Sequence, residues 1–326
     1  DGRGIMSVNK NVFQRRSVFI SWFLLYFLLV FIPMLIGAVV YTRAEEIIRN
    51  EINRANMTVL KQLRQGFDNK LRDVEKFVFQ TGLNPKIGRL MHIKTVPAGS
   101  QYYLVTQIEN ELRFYKTVNG FVDDFYIYFN NMDRVLSASG LSDKEWFYKY
   151  SRSYFKYFDG LSYEQWLRII QGEFSGEYIP LERTEFPESK FNNSIIFSQS
   201  FPIGSSSKKD ATLVVLLNDN RFLDDIKNIT LAEDGLSLIL NKNNKVLFST
   251  EKTTEISSPS YEELTGEYGL IYEKIEDERF VISYISSSVT DWKYVLVIPL
   301  KVFHEKVEYI RNISSVAEKN LLKVNG

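Results

Sequence analysis

The residues best suited to recognising a ligand in this chain are aromatic and amphipathic. Twelve of the 33 positions from residue 146 to 178 are Trp, Tyr or Phe, against 14% for the chain as a whole. Such rings bury one face while keeping a hydroxyl or indole N–H for hydrogen bonding, the mixture that lines small-molecule pockets. Their flat faces also stack on the C–H faces of sugars. Trp146, Tyr148, Tyr150, Tyr154, Trp166 and Tyr178 are therefore candidate ligand contacts, joined by Tyr126 and Tyr128 from an upstream strand-like run.

Covalent and metal chemistry have little to work with. The chain has no cysteine and two isolated histidines, His92 and His304, so thiolate, disulfide and histidine-rich metal sites are not expected. No cofactor motif is present: a P-loop, GxGxxG, HExxH or EF-hand loop is absent from the sequence. The acidic pairs Asp123-Asp124 and Glu262-Glu263 are neighbours, and neighbours on a strand face opposite ways, so they read as solvated charges. A carboxylate hydrolase would need two acids converging in a cleft, and no enzyme is expected. Forty Lys+Arg balance forty Asp+Glu, which argues against nucleic-acid contact by this segment.

The elements that position these residues begin with a membrane anchor. Residues 18–41, VFISWFLLYFLLVFIPMLIGAVVY, form a run of 24 uncharged positions. As a helix they reach about 36 Å, enough to cross a hydrocarbon core of about 30 Å. Residues 1–17 carry Arg3, Lys10, Arg15 and Arg16 against Asp1, which places them in the cytoplasm and the bulk of the chain outside. From residue 42 to 82 the apolar positions Ile48, Ile52, Val59, Leu63, Phe67, Leu71, Val74 and Val78 recur mostly every three or four. That spacing predicts one long stalk helix, stopped by Asn84-Pro85, and a homodimer through the stalk is expected.

Beyond the stalk the chain repeats itself. FNNMDRVLSAS (129–139) resembles LNKNNKVLFST (240–250), and TLVVLLNDNRFLDDIKNI (212–229) resembles KYVLVIPLKVFHEKVEYI (293–310). Two pairs in the same order indicate tandem modules. The offsets, 111 and 81 residues, make the first module longer by 111 − 81 = 30, and the aromatic insert at 141–180 accounts for the excess. The expected layout is a membrane-distal module at 83–230, a membrane-proximal module at 231–300 and a closing helix and tail at 301–326.

Three stretches in order, RRSVFISWFLLYF, RNEINRANMTVLKQLRQGFDNKLRDVEKFVFQ and TDWKYVLVIPLKVFHEKVEYIRN (290–312), resemble the amino-terminal sensor of membrane-bound AraC-type transcription regulators of Gram-positive bacteria. Two-span sensor histidine kinases share this layout, and WKYVLVIPLKVF is the most telling motif. The resemblance implies an α+β double-Cache fold: a transmembrane helix, a long stalk helix and two tandem PAS-like antiparallel sheets. It further implies a small ligand, a sugar or oligosaccharide favoured, bound in the distal module and relayed across the membrane. The alternatives are a histidine-kinase sensor or an anchored binding module without its own output. Family members continue into a second span and a cytoplasmic effector, whereas ISSVAEKNLLKVNG (313–326) is polar and short.

Overall fold

A computed structural model describes residues 9–118, 120–151, 161–182, 193–204, 209–218, 221, 224–227, 235–250, 261, 264–275 and 277–301. The chain divides into two compact units, residues 1–55 and 56–326.

The first unit is the beginning of helix α1 (Asn9–Gly82). It contains Trp22–Val40, with mean hydropathy 2.7 and side chains open to the surroundings, long and apolar enough to cross a membrane. Among the described residues no other helix meets that test.

In the second unit, α1 is the spine of a shared core. Val59, Leu63, Phe67, Leu71, Val74 and Val78, the expected stripe, are buried on one face of the helix; Ile48 and Ile52 fall outside the described side chains. The stop is where the sequence puts it. Asn84 takes an extended conformation and its side chain accepts from the Lys86 backbone, starting helix α2 (Pro85–Met91) with proline in its first turn. Helix α3 (Ser100–Val118) follows and contributes Val105, Ile108 and Leu112 to the same core.

Two antiparallel sheets, named distal and proximal after the expected modules, pack on these helices. The distal sheet is built from β1 (Val122–Phe129), β2 (Arg134–Ser137), β3 (Gly140–Asp143), β4 (Ser175–Glu182), β5 (Asn193–Phe201) and β6 (Ala211–Leu217), in the order β3-β2-β1-β6-β5-β4. Between β3 and β4 lie the short helices α4 (Lys144–Tyr150) and α5 (Tyr163–Gln171). The proximal sheet holds β7 (Leu236–Leu240), β8 (Val246–Ser249), β9 (Tyr268–Ile275), β10 (Glu278–Ser286) and β11 (Lys293–Pro299), in the order β8-β7-β11-β10-β9. Leave out β3 and the two orders are the same. Both sequence repeats fall on equivalent strands, β1–β2 with β7–β8 and β6 with β11. Even the turns agree: Asp133 and Asn244, 111 residues apart, both take a positive φ (54° and 57°), which Asp and Asn tolerate better than most residues. Of the expected closing helix only 300 and 301 are described, and both are helical.

Alternation along the strands gives each sheet an inner and an outer face. Phe125, Ile127, Phe129, Leu213, Val215 and Phe197 of the distal sheet, and Ile239, Ile285, Tyr294 and Leu296 of the proximal one, join the helical core. The outer faces form separate cores, one around Tyr126 and Trp166 and one around Leu238 and Val295.

Candidate ligand-binding site

The outer face of the distal sheet is roofed by α4 and α5, and the sequence explains how each is placed. Asp143 ends β3 and caps α4 directly, its carboxylate accepting from the backbones of Glu145 (2.8 Å) and Trp146 (3.4 Å). Ser162 and Gln165 form a reciprocal capping box that starts α5. The Tyr148 hydroxyl donates to the Leu161 carbonyl and ties the two helices together.

Four of the eight expected contacts gather under this roof. Trp166 is 0% exposed and its indole N–H donates to the Tyr126 hydroxyl at 2.9 Å. Phe147 packs on Tyr126 with ring centres 4.9 Å apart, while Tyr148 lies 5.5 Å from Trp166 and 5.2 Å from Tyr163. Burial pushes the Tyr126 phenol well up, so it stays a neutral hydroxyl. Tyr128 is also buried on this face, but its hydroxyl donates to Asp133 at 2.7 Å, away from the other rings. Lys144 reaches the same carboxylate at 2.9 Å. Burial alone would raise the Asp133 carboxyl, yet the hydrogen bonds from Lys144 and Tyr128 outweigh it and hold the group below its usual range. These rings mostly fill the core between sheet and helices.

The open space lies beside them. A cavity of about 300 Å³ is floored by Asp124 and Ser137, with Ser139, Gly140, Leu141 and Ser142 of the β2–β3 segment on one side and Trp146, Phe147, Tyr150 and Ser151 of α4 on the other. Trp146 and Tyr150, one helical turn apart, stack with centres 4.7 Å apart and planes within 10°. Trp146 is 55% exposed, so this pair offers a flat platform at the mouth. Gly140 turns the chain with a φ of 120°, where any other residue would be strained. Among the described residues lining the cavity Asp124 alone is charged, and Lys116 pairs with it at 2.7 Å. Hydroxyls, one paired carboxylate and an aromatic platform suit a small neutral ligand with several hydrogen-bonding groups.

One further expected contact is placed elsewhere. Tyr178 sits on the opposite face, packed on Phe197 (4.7 Å) and Trp292 (5.6 Å), with its hydroxyl donating to the Leu71 carbonyl of α1 at 2.7 Å. Strand parity sends it there. Tyr154 lies outside the described residues. Conversely, Asp124 is not simply solvated: it shares parity with Tyr126 and Tyr128, and that alternation in FVDDFYIYF was the available signal. The serines at 137, 139, 142 and 151 carried none. Among the described residues no cluster of His, Asp and Glu could hold a metal ion.

The chain therefore has an α+β architecture, with an apolar N-terminal helix, a long spine helix and two antiparallel sheets, and this fold recurs in solved ligand-binding domains. Among solved structures it is similar to the ligand-binding domain of Mlp24 with asparagine, at 11% identity and a TM-score of 0.50, covering 80% of this chain and 99% of that one. It also matches the ligand-binding domain of the Campylobacter jejuni chemoreceptor Tlp3 in complex with L-valine (14% identity, TM-score 0.46, 79% of this chain, 97% of that one). The extracellular domain of rpHK1S-Z16, named a histidine kinase, matches at 12% identity and a TM-score of 0.45, over 79% and 95%. No protein-family model and no curated protein matches the chain.

Proposed function

We propose that this chain is the ligand-sensing region of a membrane-bound transcription regulator, lying outside the cell with residues 1–17 in the cytoplasm. The distal module, 83–230, takes a small neutral polyhydroxylated ligand of the sugar class in the cavity beneath Trp146, and the proximal module, 231–300, passes the change on. The observation that carries the ligand class is the lining: serine hydroxyls, one carboxylate already paired with Lys116, and the stacked Trp146–Tyr150 platform. A volume of about 300 Å³ stands at the lower end of the roughly 300–1,000 Å³ typical of ligand pockets, which favours a monosaccharide over an oligosaccharide. The output through a transcription regulator is supported by the sequence resemblance alone, and the stripe from Val59 to Val78, being spent on the chain's own core, lends no support to self-association along α1.

The test is calorimetric titration of the full chain in lipid nanodiscs with a panel of neutral aldohexoses and aldopentoses, and with the common amino acids. A saturable sugar that binds at least about tenfold more weakly to Trp146→Ala and Asp124→Asn is the expected result. Binding of amino acids alone, unchanged in both variants, would remove this reading.

A further inference from the structure

Tyr178 has an assignment other than ligand contact. On α1, Asp68 and Leu71 stand three residues apart and so share a face of the helix. Asp68 is 1% exposed and holds the proximal module by four bonds: from the Ser287 hydroxyl (2.6 Å), the Ser288 backbone (2.8 Å), the Ser288 hydroxyl (2.7 Å) and the Tyr294 hydroxyl (2.8 Å). The Ser287 amide in turn bonds the Trp292 carbonyl at 2.8 Å, closing the β10–β11 loop on itself. One turn along the helix, Leu71 accepts the Tyr178 hydroxyl of β4, the edge strand of the distal sheet. The rings of Tyr178 and Trp292 then meet edge to face, at 5.6 Å and 65°.

We propose that Tyr178, Trp292 and Asp68 form a relay on α1 through which the distal edge strand β4 controls how the proximal module is seated. Two features of the contact support it. A carboxylate buried with four donors has one satisfied geometry, because a loop that moved away would strand the charge in the core. Trp292 immediately precedes β11, a central strand of the proximal sheet that runs directly into residues 300 and 301. A shift of β4 along α1 must therefore move the Tyr178 ring against Trp292, and the loop it closes is the one Asp68 grips. The relay involves no ligand and does not depend on the sugar reading.

Hydrogen exchange on the full chain in nanodiscs, read by mass spectrometry, tests it. Coupling is reciprocal, so both directions must appear. Tyr178→Ala is expected to speed exchange of amides 287–296 by at least about fivefold, and Asp68→Asn to speed exchange of 175–182 by a similar factor. Trp292→Phe keeps an apolar ring in the core and guards against loss of folding in the alanine variant. It too must loosen 175–182 from within the other module, and its effect must be non-additive with Asp68→Asn. The relay is overturned if Tyr178→Ala acts only on 175–201, if Asp68→Asn acts only on 287–296, or if the Trp292→Phe and Asp68→Asn effects simply add.

Discussion

The two sheets share a strand order and differ in what covers them. Tyr126 opposite Val214 in the distal sheet holds the place that Leu238 opposite Val295 holds in the proximal one. Next to them, Tyr128 and Thr212 answer to Leu240 and Lys293. The proximal outer face is closed with aliphatic and aromatic bulk, Leu236, Leu238, Leu240, Phe280, Ile282, Val295 and Val297, under Tyr261 and Leu264. The distal face keeps hydroxyls, among them Ser198 and Thr212, both 0% exposed and without a protein partner. It is roofed by two helices and opens into a cavity at one side. The cover of the proximal face leaves one hydroxyl unpaired too, that of Tyr261, so the difference lies in the sheet itself: the distal strands carry Ser198 and Thr212 beside a cavity, and the proximal strands pack aliphatic side chains under their cover. Burying hydroxyls without partners is costly, and a face that keeps them is shaped for something other than stability.

The largest effect expected from this contrast comes from Trp166→Ala, which removes a fully buried indole and leaves the Tyr126 hydroxyl without its donor. It should cost about 3–5 kcal/mol, and site-resolved hydrogen exchange should show the loss in β1 and β6. Leu238→Ala, at the place of Tyr126 in the other module, should cost about 2–5 kcal/mol and show it in β7 and β11. Equal loosening of both sheets by either variant would mean that the outer cores are not separable. Tyr126→Phe comes next. It keeps the ring but removes the hydroxyl that accepts from the Trp166 indole N–H, for about 1–3 kcal/mol by denaturant unfolding.

The smallest effect concerns the turn. Asp133, held low by Lys144 and Tyr128, stands where the proximal module has the neutral Asn244. A carboxyl depressed in the folded state stabilises fully above its unfolded value, about 3.9, and loses that contribution as pH falls through the lower folded value. Asp133→Asn should flatten the acid side of the melting curve there by less than about 1 kcal/mol, since the pair with Lys144 is partly open to solvent. Unchanged melting temperatures from pH 5 to pH 2 in both proteins would show that the turn contributes nothing.

Much of this layout was legible in the chain. The apolar run, the stripe of α1, its stop at Asn84 and the paired hairpins all follow from periodicity and turn chemistry. The hairpin match at 111 residues holds for the turn and for Val135 and Val246, but it fails one strand earlier. It equates Phe129, on the inner face, with Leu240, on the outer face. The proximal turn is one residue shorter, and an irregularity between Ile239 and Leu240 restores the register in β8. A slip of one residue flips every side chain, and nothing in the residue types announces it. The site was harder to read for a related reason. Aromatic density marked the segment, but whether a ring faces core, cavity or α1 depends on strand parity and on how α4 and α5 are capped. Tyr126 and Trp166 fill the core, Trp146 and Tyr150 border the cavity, and Tyr178 turns to Trp292.

The central claim is that the distal outer face, and not its proximal copy, receives the ligand. Hydrogen exchange of the full chain in nanodiscs, with and without a saturating sugar from the titration panel, tests it most directly. The account predicts slower exchange in residues 137–151, around Ser137, Trp146 and Tyr150, with no direct protection at 236–249 or 261–264. Protection confined to 236–264, with 137–151 unchanged, would contradict it.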